Sequence, residues 1–179
     1  MTNPQDFVNK IWSLQGNNQG ATGFVAHKDW ETGAWKDIPT TGVDDLPEME
    51  QDWYFAPCLF RGTRRLRDAM VPTRFLHADL DEADPREIED VPPTLGWETS
   101  PGHYQGLWVL DRHLKADAFD NLNRRLSYYV KADRNGWGRN KVLRIPGTLS
   151  TKYGKSRAKG FGFTLSARAG VIRSRIFIS

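Results

Sequence analysis

The sequence predicts an α+β, or mixed α/β, domain, and three observations carry that prediction. Its 179 residues, 39% of them apolar, suffice for one domain with a sizeable core. Short strand-like runs outnumber helix-periodic ones and alternate with them irregularly. No internal repeat or low-complexity segment interrupts the pattern.

Asn3 and Pro4 open a short helix, the first as its N-cap and the second at its first position, with Phe7, Ile11 and Leu14 on one face. Residues 22–27 and 34–38 read as a hairpin that turns at Glu31-Thr32-Gly33. Residues 39–52 form an acidic connection, 53–60 a buried strand and 61–67 a basic loop. The next apolar run ends in Asp79-Leu80-Asp81 and is stopped by Pro85. Residues 84–94, with three prolines, read as a loop or a single helical turn. Residues 95–100 and 104–110 are strand-like runs flanking Pro101-Gly102. A helix over 116–131 carries Phe119, Leu122, Leu126 and Tyr129 or Val130 as a core stripe. The last predicted strands are residues 142–145 and 161–166.

Charge divides the chain. Residues 1–111 hold 9 Lys/Arg against 19 Asp/Glu, and residues 112–179 hold 16 against 3. A basic surface opposite a carboxylate cluster suits an enzyme acting on a polyanion, and aromatic residues interspersed among the cations favour nucleic acid over a merely solubilising tail. No apolar run approaches the length of a membrane span, and residues 1–20 lack the plan of a signal peptide, so a cytoplasmic protein with no membrane partner is expected. Cys58 is alone, which excludes an internal disulfide and a Cys-x-x-Cys zinc site; in its apolar setting it reads as a buried structural thiol.

Three constellations carry chemistry. If residues 74–81 are a strand, alternation sets Leu76, Ala78 and Leu80 on one face and His77, Asp79 and Asp81 on the other. Two adjacent carboxylates raise each other's pKa unless a cation lies between them, and all-oxygen ligands suit magnesium or manganese. The second constellation is Glu98-Thr99-Ser100-Pro101-Gly102-His103-Tyr104-Gln105, whose turn exposes backbone N–H groups able to hold a phosphate. His103 alone also fits an ordinary hairpin, and His27, His77 and His113 read as structural. The third runs from Asp133, the only acid in a long basic run, to Arg144, whose guanidinium in an apolar strand requires a nearby anion, and on to Lys152. Gly154-Lys155-Ser156 is not a P-loop, because six residues rather than four separate Gly154 from Gly147.

Taken in order, the apolar strand into Asp-x-Asp, Thr-Ser-Pro-Gly-x-Tyr-Gln before an apolar strand, and Ala-Asp followed by Leu-Arg-Ile-Pro-Gly-Thr-x-x-x-Lys resemble the archaeo-eukaryotic primase superfamily, in its plasmid and phage primase-polymerase branch. The resemblance covers residues 53–152. It implies a two-lobed fold, one lobe like an RNA-recognition motif, with the active site in the cleft between lobes. It further implies that residues 1–179 are a single primase-polymerase catalytic domain without a helicase domain, acting beside a replicative helicase domain or protein. Asp79, Asp81 and Asp133 match the family's metal-binding carboxylates, for two magnesium or manganese ions. Ser100, His103, Gln105, Arg144 and Lys152 fall at nucleotide-binding positions. Gln105 stands where histidine is common, so that either Gln105 or His103 meets the nucleotide, and Ser150 stands where asparagine is common. The implied activity is template-directed nucleotidyl transfer on single-stranded DNA from nucleoside triphosphates. Two other readings remain: a non-catalytic single-stranded-DNA-binding module of a replication initiator, and a metal-dependent phosphatase, which Ala83 disfavours.

Overall fold

The computed structural model describes residues 3–16, 20–41, 45–81, 83–152 and 156–157. Its first helix, α1 (Pro4–Ser13), starts where Asn3 accepts hydrogen bonds from the N–H groups of Gln5 and Asp6. The buried face of α1 is Val8 and Ile11, with Phe7 and Trp12 packed against the same core, whereas Leu14, expected inside, is 36% exposed. Leu14 is the C-cap, where the last turn ends and its side chain leaves the stripe.

The hairpin β1 (Gly23–Lys28) and β2 (Trp35–Thr40) turns where Asp29 Oδ1 accepts from Glu31 N–H and Thr32 N–H. Gly23 must lack a Cβ, because one there would lie 2.6 Å from the Trp12 ring. The predicted long strand 53–60 is shortened to β3 (Trp53–Phe55). Pro57 has no N–H for a ladder, and residues 56–60 run on as buried chain tied by Ala56 N–H to Phe24 O and Phe60 N–H to Thr22 O.

Strand β4 (Thr73–Asp81) pairs antiparallel with β6 (His103–Leu114), which pairs with β5 (Leu95–Ser100). The intervening turn at Pro85–Glu87 is a single 3-10 turn. Helix α2 (Ala116–Tyr129) packs Phe119, Leu122, Leu126 and the following Val130 against Leu76, Ala78, Leu80, Trp108 and Leu110, so the stripe ends on Val130 and Tyr129 faces out at 57% exposure. Gly106 is needed at the centre of that sheet, since a Cβ would meet the Trp108 ring at 2.8 Å.

Three short strands complete the described chain: β7 (Leu143–Arg144), β8 (Leu149–Ser150) and β9 (Ser156–Arg157). The strand orders are β2-β1-β3-β7, β4-β6-β5 and β8-β9. The other faces of the two larger sheets share a second core of Val25, Phe55, Phe75, Trp97, Leu107 and Leu143 beneath α1. The strand expected at residues 161–166 lies outside the described residues. Among the described residues, no helix is long and apolar enough to cross a membrane.

Candidate active site

The alternation expected for β4 holds for Leu76, Ala78 and Leu80, which enter the α2 core, and for Asp79 and Asp81, which face a pocket of about 320 Å³; His77, expected beside the acids, is instead buried with its ring 5.8 Å from that of Phe119 on α2. The two acids are not equivalent. The pairing slips between them, Asp79 standing opposite Gln105 and Asp81 opposite Tyr104, and Asp81 ends the strand in the left-handed region at φ 47°. Burial pushes the Asp79 carboxyl above its usual range; Lys141 opposes that, while Asp81 and Asp133 add to it.

Asp133 lies far along the chain but is stitched to the same strand. β4 is a sheet edge, and Asp133 N–H donates to its free Asp79 carbonyl at 2.9 Å. Farther back on that edge, Asn123 Oδ1 accepts from His77 N–H at 2.8 Å, and Asn123 Nδ2 donates to Trp137 O at 3.0 Å, which fixes the loop carrying Asp133 onto α2. Asp133 Oδ1 caps its own turn by accepting from Asn135 N–H, leaving Oδ2 toward Lys141.

From sequence, Lys141 is one of several cations in the basic half of the chain. Its Nζ lies 3.6 Å from Asp79 Oδ2 and 3.7 Å from Asp133 Oδ2, so one ammonium is shared by two of the three predicted ligands. That ammonium occupies the place of a cation between converging carboxylates. Among the described residues, no three metal-capable side chains are already close enough to ligate one ion together. The donor atoms of Asp79, Asp81 and Asp133 are all oxygen, the chemistry a hard divalent cation takes.

Ser100, His103, Gln105, Arg144 and Lys152 line the pocket together with Asp79 and Asp81. Their surroundings separate their roles. Gln105 is 5% exposed, its Oε1 accepts Arg144 N–H at 2.9 Å and its Nε2 faces Asp79 Oδ1 at 3.5 Å, so both ends are engaged by protein. The turn between β5 and β6 is closed rather than open to anions at Gly102, whose N–H donates to Glu98 Oε1 at 2.8 Å.

Arg144 needs an anion, as its sequence position implied, but the protein supplies it. Its Nη1 lies 3.0 Å from Asp52 Oδ1, its Nη2 bonds the Tyr54 hydroxyl, and its guanidinium sits 4.7 Å from the Tyr54 ring centroid. The side chain is held by Asp52 at the wall of the pocket. Asp52, read from sequence as part of an acidic connection, is 2% exposed and also accepts from Trp30 Nε1, Thr151 N–H and the Thr151 hydroxyl. Burial opposes its ionisation, but these donors outweigh it and hold the carboxyl below its ordinary value.

Sequence reading also missed an aromatic rim. Trp30 and Trp35, 37% and 48% exposed, line the pocket from the β1–β2 hairpin. Lys28 Nζ sits 5.5 and 5.0 Å from their ring centroids, and Lys152 Nζ 5.5 Å from Trp30. Arg139, one of the 16 Lys/Arg of the basic half, is buried at 9% exposure in a cluster with Asp120, Asp117 and Asp68.

No protein-family model matches the chain, and no curated protein does. Solved structures do. The AEP domain of the cyanophage S-2L primase-polymerase superposes with a TM-score of 0.66 at 15% identity, covering 93% of this chain and 92% of that one. The primase RepB' gives 0.62 at 14% identity, with 88% of this chain spanning 55% of that one. The catalytic domain of RepB' in complex with initiator DNA gives 0.61 at 16% identity, covering 83% and 78%. At 14–16% identity the likeness is one of fold, and the chain has the archaeo-eukaryotic primase fold that its ordered motifs resemble.

Proposed function

We propose that this chain is the catalytic domain of a replication primase-polymerase, which joins nucleotides from nucleoside triphosphates on a single-stranded DNA template. The observation that carries the reading is the convergence of Asp79 and Asp133, distant in sequence, on one cation beside a pocket lined by Asp81, His103 and Lys152. Its fold, shared with primase and primase-polymerase domains, supports the same conclusion.

Asp79, Asp81 and Asp133 would hold two magnesium or manganese ions, which when bound lower the pKa of the attacking 3′-hydroxyl and neutralise the triphosphate. The chain's own groups do the rest. Gln105 positions Asp79, and through Arg144 N–H it ties that carboxylate to β7. His103 is the pocket residue that meets the nucleotide, because Gln105 is engaged at both ends by protein. Lys152 and Lys141 face the triphosphate, and Ser100 fixes the turn below His103 by strand pairing. Trp35 offers an exposed ring face for a base at the pocket rim.

The experiment is incubation with a single-stranded template, labelled nucleoside triphosphates and manganese, with and without a primer. Template-dependent products support the reading, and their absence under both conditions overturns it. A second reading, a non-catalytic single-stranded-DNA-binding module, draws on Lys141, which already neutralises the acids without a metal. It predicts binding of the template with no incorporation.

A further inference from the structure

On the α2 side of the molecule, cations and aromatic rings alternate in an unbroken series. The Arg67 guanidinium lies 5.3 Å from the Trp137 ring centroid, Arg124 lies 5.7 Å from Trp137 and 5.9 Å from Tyr128, and Arg134 lies 5.5 Å from Tyr128. Five side chains from three segments therefore form one ladder. Arg124 and Tyr128 are four residues apart on α2, Arg134 and Trp137 come from the loop after it, and Arg67 comes from the 3-10 turn at Arg67–Ala69.

Burial does not explain this arrangement. Tyr128 is 48% exposed, and Arg124 and Arg134 are exposed as well. Among the described residues no carboxylate pairs with Arg124 or Arg134, while at the far end Asp120 Oδ2 takes Arg67 at 2.5 Å. The open charge is thus concentrated around Tyr128. Each guanidinium is held near a ring by cation–π attraction, so less side-chain freedom is lost when a ligand arrives.

The ladder is also continuous with the candidate active site. A second pocket of about 390 Å³ shares Trp35, Lys141 and Val142 with the first and is otherwise walled by Arg65, Asn135, Gly138 and Asn140. Asn135 and Gly138 belong to the loop that presents Arg134 and Trp137.

We infer that the Arg67–Trp137–Arg124–Tyr128–Arg134 ladder is the track for single-stranded nucleic acid leading away from the catalytic pocket. Bases stack on Tyr128 and Trp137, and the stacked guanidiniums meet the phosphates. Alternating positive charge and ring faces match the alternating phosphates and bases of a single strand, and a duplex, whose bases are already stacked, cannot use the rings. The inference rests on the reading of the protein as a template-directed enzyme, and it assigns that enzyme's template a surface.

The test is anisotropy of a fluorescein-labelled oligothymidylate, measured without divalent metal or nucleotides, on the full chain. Tyr128→Ala weakens binding roughly five- to a hundredfold, whereas Tyr128→Phe stays within about twofold of the wild type. Arg124→Gln lowers the slope of log affinity against log salt by about 0.7, and duplex of equal length loses much less from Tyr128→Ala. Both positions are exposed, and unchanged thermal melting verifies the fold. Wild-type affinity in both Tyr128→Ala and Arg124→Gln, with template-dependent synthesis intact in the wild type, overturns the ladder and leaves the enzymatic reading standing. Equal losses on single strand and duplex also overturn it. Absence of oligonucleotide binding by the wild type overturns both.

Discussion

Replacing Lys141 by Met should tighten manganese binding, because the ammonium and the ion compete for the same carboxylates. At an effective dielectric near 20, unit charges 3.6–3.7 Å apart attract by roughly 4–5 kcal/mol before solvent screening. The three side chains are 27–34% exposed, and pairs open to water retain only about 0–1 kcal/mol each. Two such pairs oppose displacement by up to about 2 kcal/mol, so Lys141→Met should raise the affinity by as much as about thirtyfold. The assay is titration with Mn²⁺ in the absence of DNA and nucleotide, following the paramagnetic resonance of the free ion. It is run at pH 8 so that burial does not leave Asp79 protonated. An unchanged or weaker affinity would refute the reasoning, since Lys141 would then not share the ion's position.

Other outcomes follow from the buried groups and the pocket wall. Asp52→Asn breaks the enclosed pair with Arg144, whose side chains are 3% and 7% exposed, and should destabilise the protein by about 3–5 kcal/mol in urea denaturation. His77 is fully buried, and burial, with nearby Lys141, pushes its pKa down to about 3. The unfolded chain takes up the proton near the ordinary value of 6.5 and the native state does not, so stability falls as pH drops from about 6.5 toward 3. His77→Leu should remove that part of the acid-side decline and stabilise by about 1 kcal/mol at neutral pH, read by thermal melting across pH. His103→Ala should weaken nucleoside triphosphate binding by roughly 1.5–3 kcal/mol in calorimetry; Gln105→Ala should instead weaken manganese binding through a mispositioned Asp79.

What the sequence made legible was local. The period-2 alternation of residues 74–81 gave the strand and the direction of Asp79 and Asp81, because one face must enter a core while the other carries charge. The α2 stripe and the β1–β2 hairpin were legible on the same grounds. Partnerships across the chain were not. Arg144 in an apolar strand announced an anion but not which one, since Asp52 lies 92 positions away and looked like one more acid in an acidic stretch. Lys141 was one cation among many until folding set it between two carboxylates. The Trp30–Trp35 rim had no signal beyond two tryptophans flanking a turn. Asp133 stood out as the lone acid of a basic run, and the order of the motifs gave it a role; the backbone bond to Asp79 that holds it there is a property of the sheet edge.

Whether Asp133 acts with Asp79 or as a surface acid is decided by template-dependent synthesis by Asp133→Asn alongside Asp79→Asn. Each substitution should abolish synthesis while oligonucleotide binding and thermal melting stay at wild-type values. Synthesis by Asp133→Asn close to the wild-type rate, as expected for the loss of an exposed ion pair worth about 0–1 kcal/mol, would contradict joint action with Asp79.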